Sequence, residues 1–84
     1  MTAELRNKLK EIIAVELQIP VERVRGGVSL RKELGMDSVA ALNILFAAEE
    51  SLGVRVPEKE LEPVDDFEGV LSMIERHRAA HASG

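Results

Sequence analysis

Residues 37–53 decide how this chain is read: Asp37-Ser38-Val39-Ala40-Ala41-Leu42-Asn43-Ile44-Leu45-Phe46-Ala47-Ala48-Glu49-Glu50-Ser51-Leu52-Gly53. Asp37 has the short acceptor side chain of an N-cap, strong helix formers follow it, and Gly53 supplies a stop. The pattern predicts a helix over 38–52. Leu42, Leu45, Phe46, Glu49 and Leu52 form one stripe, while Val39, Ala40, Ala41, Ile44, Ala47 and Ala48 make the helix apolar nearly all round. A helix of this kind covers a core and still has surface for another contact.

Upstream, Leu5, Leu9, Ile12, Ile13 and Leu17 recur at helical spacing, which predicts a first helix with Thr2 as its N-cap. Pro20 stops it at about Gln18. Between Ile19 and Asp37 the chain is irregular, with Pro20, Gly26, Gly27 and Gly35 punctuating scattered apolar anchors. A loop of that length in a small domain tends to be functional, and this one ends at Gly35-Met36-Asp37-Ser38. Ser29 is placed to cap one turn over Leu30 to Leu34, closed by Gly35.

Downstream, Pro57 to Leu61 reads as one short helical turn. Phe67, Val70, Leu71 and Ile74 then show i, i+3, i+4, i+7 spacing, which marks a last helix opened by Asp65-Asp66, with Asp65 and Glu68 as a capping box. The tail over 79–84 is expected to fray. No strand alternation or repeat is visible. The fold expected is a single all-α domain over 1–78, a small four-helix bundle with three main helices, one short helix and a long first loop.

With 84 residues the chain has room for one core. Its net charge of −4, two Phe, and absence of Trp and Tyr argue against nucleic acid as a partner. Zero Cys excludes disulfides and thiolate chemistry and fits a reducing cytoplasm. No export signal or membrane span is evident, since charged residues interrupt the N-terminus and Val39 to Ala48 is too short to cross a bilayer. Residues 1–36 hold 7 basic and 5 acidic side chains and residues 37–84 hold 4 and 10, a net +2 followed by −6. The second half therefore suits a basic complement.

Ser38 is the residue that bears on chemistry. A hydroxyl in the first turn of a helix sits where backbone N–H groups and the macrodipole favour an attached phosphate. It is not an autonomous nucleophile, because the two histidines, His77 and His81, lie far along the chain with nothing to orient either as a base. No metal is expected: His77 and His81 lack a third ligand and read as exposed, and the acidic residues from Glu58 to Asp66 lack EF-hand spacing. Met36 and Met73 read as core packing.

The run Leu30-Arg31-Lys32-Glu33-Leu34-Gly35-Met36-Asp37-Ser38-Val39 resembles the phosphopantetheine attachment signature of acyl carrier proteins, in which Leu-Gly-x-Asp-Ser leads into the second helix. Glu49-Glu50-x-Leu52-Gly53-Val54-x-Val56-Pro57 is similar to that family's exit from helix 2, and Phe67 to Ile74 to its last helix. The resemblance implies a discrete, non-catalytic, monomeric carrier in which Ser38 bears 4′-phosphopantetheine and holds acyl or aminoacyl groups as thioesters. It implies a phosphopantetheinyl transferase and separate loading ligases or synthases as partners, with Asp37 capping the helix and presenting the serine. Val39, Ala40, Ala41, Asn43, Ile44, Glu58 and Glu60 are the partner-facing residues expected on this reading. Ala40, Ala41 and Asn43 stand where carriers of fatty acid synthesis often have acids, which argues against a generic fatty-acid role; Val39 replaces the usual Leu but keeps an apolar contact, and Arg55 adds a positive charge where the family tends to be acidic. The alternative is an unmodified helical interaction module that uses the apolar face of helix 2.

Overall fold

The computed structural model describes residues 2–83, and the side chains of residues 3–78. Four helices form: α1 (Thr2–Leu17), α2 (Ser38–Leu52), α3 (Glu58–Leu61) and α4 (Phe67–Ser83), with a 3₁₀ turn at Val21–Arg23. Among the described residues there is no strand, only an isolated bridge between Ser29 and Asp66. The all-α reading therefore holds, with the short helix over 58–61 where Pro57 to Leu61 placed it. Three boundaries differ from those read off the sequence. Helix α1 already includes Thr2, which is thus not its cap. Helix α4 is capped by Asp66, whose Oδ1 accepts the Gly69 N–H at 2.8 Å, not by Asp65. Its backbone is helical through Ser83, in the segment where fraying is expected.

The core is drawn from all four helices and the loops between them. Leu9 and Ile13 of α1, Leu30 of the first loop, and Phe67, Met73 and Ile74 of α4 are all less than 2% exposed. Burying each such side chain contributes about 1.5–3 kcal/mol, which outweighs what an exposed ion pair such as Arg6–Glu68 (2.7 Å) offers in water. The buried stripe of α2 is Ala41, Ile44, Leu45 and Ala48. That corrects the expected stripe: Phe46 is 57% exposed, and Leu42 and Leu52 are only half-buried. Small residues at 41 and 48 let neighbouring elements approach α2 closely, so the alanines take core positions that size alone would assign to Phe46.

Helix α1 ends as a Schellman motif. Ile19 N–H donates to the Ala14 carbonyl (3.0 Å) and Gln18 N–H to Val15 (3.2 Å), with Gln18 in the left-handed region at φ 57°. Gly53 ends α2 at φ 67°, its N–H donating to the Glu49 carbonyl, and Gly35 turns the loop at φ 76°. Asp66→Ala should therefore cost about 1 kcal/mol through loss of the α4 cap. A urea melt showing unchanged stability would contradict that assignment.

Candidate functional site

Met36, only 4% exposed, anchors the residue pair that follows it, and its N–H donates to the Leu30 carbonyl at 2.9 Å. The loop behind it is fastened to the segment preceding α4. Leu30 N–H donates to the Asp65 carbonyl at 2.7 Å, Arg31 N–H to the Asp65 carboxylate at 3.0 Å, and the Ser29 hydroxyl to the same carboxylate. Ser29 also caps the turn that follows, its Oγ accepting the Lys32 N–H at 3.0 Å. Asp65 is thus a clasp between loop and helix, and the Ser29 hydroxyl and the Arg31 amide donated to its carboxylate hold that carboxyl below the ordinary value. That role escapes the sequence because Ser29 and Asp65 are 36 residues apart.

The clasp leaves Asp37 and Ser38 outward at the start of α2. Asp37 Oδ1 accepts the Ala40 N–H at 2.8 Å, the capping geometry expected from the sequence, and Ser38 is the first helical residue and exposed. The remaining first-turn N–H groups and the helix dipole make this end favourable for an anion. Of the other serines with described side chains, Ser29 is taken up by Asp65, Ser51 lies in the last turn of α2 where the dipole is reversed, and Ser72 lies within α4. Beside Ser38 runs an open groove of about 120 Å³ between the first loop, α2 and α3, lined by Arg31, Ala41, Leu42, Glu58, Leu61 and Glu62.

The other expected partner-facing residues divide. Val39 (66% exposed) and Asn43 share one outward face of α2 with Phe46, Ala40 is half-buried, and Glu58 is exposed. Ala41 and Ile44 are only 5% and 2% exposed and belong to the α2 core stripe, so neither stands on the outward face, and Ala41 reaches only the groove. Glu60 is half-buried and engaged: its Oε1 meets His77 Nε2 at 2.8 Å and Arg76 at 3.3 Å. His77, read as exposed, instead joins α3 to α4; the His81 side chain lies outside the described residues. Phe46 is the exposed residue that the expected partner surface omits. Its distance of seven residues from Val39 is a signal of a shared face, one masked by the apolar pattern all round the helix.

Among the described residues no group of three or more potential ligands could hold a metal ion, and no helix is long and apolar enough to cross a membrane.

A family model described as a phosphopantetheine attachment site matches residues 7–75. The chain is 32% identical over 78 residues to an acyl carrier protein of Thermosynechococcus vestitus, covering 93% of this chain and 96% of that protein. The chain belongs to the acyl carrier protein family. An acyl carrier protein of Saccharopolyspora erythraea is 30% identical over 70 residues, covering 83% of this chain and 74% of its own length. One of Treponema denticola is 33% identical over 67 residues, with coverages of 80% and 82%. The cofactor of this acyl carrier protein is 4′-phosphopantetheine, held covalently. The site fits such a group: an exposed hydroxyl at a helix start, with an open groove beside it. Bound there, the cofactor supplies a thiol on a flexible arm, and the protein's residues supply the anchor and the surface.

Three carboxyls outside the groove's immediate lining carry a pH signature. Hydrogen bonding to His77 lowers the Glu60 pKa, Ser29 lowers that of Asp65, and Arg6 lowers that of Glu68. A carboxyl depressed on folding contributes stability above its unfolded pKa, and that contribution is lost as pH falls through the folded value. Stability should therefore decline as pH drops below about 4, the ordinary carboxylate range. Asp65→Asn should flatten this acid limb in a pH series of urea midpoints; an acid limb identical to wild type would remove Asp65 from the account.

Proposed function

We propose that Ser38 is the attachment residue and that the protein is a non-catalytic cytoplasmic carrier, monomeric, holding acyl or aminoacyl groups as thioesters on the 4′-phosphopantetheine arm. The observation that carries this reading is the placement of Ser38: exposed, first in α2, capped by Asp37 and set outward by buried Met36. A separate phosphopantetheinyl transferase modifies it. Ser38 supplies the oxygen of the new phosphodiester, its proton leaves to the transferase, and the pyrophosphate bond of coenzyme A breaks to release the adenosine bisphosphate half. The α2 N–H groups face the anionic product, and Asp37 holds that turn in place for the transferase.

Loading ligases or synthases then dock on the outward face of α2. Val39 and Phe46, with Asn43 between them, offer apolar contact next to the arm, and Glu58 adds a flanking charge. This face lacks acids near its start, so association depends more on apolar burial than on long-range charge. The test is incubation with coenzyme A, Mg²⁺ and a broad-specificity transferase, followed by intact mass and peptide mapping. One phosphopantetheine adduct per chain, on the peptide that contains Ser38, is expected; an unmodified chain would return the reading to an unmodified interaction module.

A further inference from the structure

The geometry points to Arg31 as the residue that holds the arm's phosphodiester against the groove once Ser38 is modified. This rests on Ser38 being the attachment residue. Among the described residues, Arg31 is the single cation in the lining of the groove beside Ser38, a lining it shares with Glu58 and Glu62. Its backbone is fixed by the bond from Arg31 N–H to Asp65 (3.0 Å). One guanidinium N–H reaches the Glu62 carbonyl at 3.3 Å. A guanidinium has five N–H donors in a planar fork, so most of its donor capacity remains for an oxyanion in the same groove.

Charge makes the assignment specific. Arg31, Glu58 and Glu62 together carry −1, and Asp37 stands next to Ser38, so a phosphodiester added at Ser38 enters a locally acidic site. The α2 N-terminus offsets only part of that repulsion. Arg31 provides the opposite charge, and charge-assisted N–H···O⁻ contacts are the stronger kind. The arm then leaves Ser38 along the loop side of the groove, away from the outward face carrying Val39 and Phe46, which leaves that face clear for a partner. The Arg31 side chain is exposed and the bond to Asp65 comes from the backbone, so Arg31→Ala gives up the side-chain bond to the Glu62 carbonyl and leaves the clasp in place.

The experiment uses modified protein, with the adduct on Ser38 verified by mass, and reads the ³¹P resonance of the phosphodiester and the Arg31 Nε–H resonance. In wild type, both should differ from their positions at 1 M salt, where the screening length is about 3 Å. Arg31→Ala should bring the ³¹P resonance to that screened position, a roughly two- to fivefold loss of the bound population for an exposed charged pair. Arg31→Lys should restore part of the shift, and Glu58→Gln should move it the opposite way by removing a competing anion. That opposed pair of signs is one a merely structural role does not produce. A ³¹P resonance identical in wild type and Arg31→Ala, both modified at Ser38, overturns the Arg31 assignment alone. An adduct that persists in Ser38→Ala overturns the attachment reading and Arg31's role together.

Discussion

Ser38→Ala should abolish phosphopantetheine attachment outright, taking the adduct from one per chain to none under conditions that modify wild type completely. On the proposed attachment the loss is total because the substitution removes the acceptor oxygen, and no second serine with a described side chain shares its setting. Ser51, the other serine on α2, sits in the last turn, where the helix dipole repels an anion. Ser29 donates to Asp65 and is half-buried. The fold should be unaffected, since the α2 cap belongs to Asp37 and the Ser38 side chain is exposed. Circular dichroism and the urea midpoint of the variant should overlay those of wild type, which separates loss of the attachment atom from loss of the domain. Ser51→Ala should be modified as wild type is. An adduct on Ser38→Ala would relocate the site.

Phe67→Ala should be the most damaging single truncation of the core, at about 3–5 kcal/mol. Phe67 is fully buried, and the Arg6 and Lys10 cations lie 5.5 and 5.6 Å from its ring centre, so the variant loses both packing and two cation–π contacts. Against the 5–15 kcal/mol typical of a whole domain, such a loss brings the protein close to unfolding. The effect should extend to the site, because Phe67 directly follows Asp65 and Asp66, and Asp65 clasps the loop that presents Ser38. Phe67→Leu, which refills most of the volume, should recover the larger part. Chemical denaturation giving less than about 1 kcal/mol for Phe67→Ala would show that the α4 stripe is not the core.

Helix α4 shows how far periodicity carries. Phe67, Val70, Leu71 and Ile74 are all buried, as their spacing predicts, because polar neighbours leave one way to turn that helix. Helix α1 is equally legible, with Leu5, Leu9 and Ile13 buried. Its termination at Gln18 follows from Pro20, although the left-handed Gln18 that completes the stop has no glycine to announce it. Helix α2 is apolar nearly all round, so several orientations bury similar area and the pattern does not select one. Packing against the neighbouring helices selects Ala41, Ile44, Leu45 and Ala48, and it turns Phe46 outward with Val39.

The cap and hydroxyl at Asp37-Ser38 were readable in the residues because capping is local: donor and acceptor lie within one turn, and the backbone geometry follows from residue type. The helical class, the loop before α2 and the carrier resemblance are local in the same sense. Tertiary structure decided everything that needed residues distant in sequence to meet. It made Asp65 a clasp for Ser29 and Arg31 instead of a helix cap, took Glu60 into a contact with His77, and withdrew Ala41 and Ile44 from the surface. It also set Arg31 beside Ser38 in one groove. A contact between distant residues depends on how whole helices pack, and packing is settled by the summed burial of the core, which no short stretch of residues records.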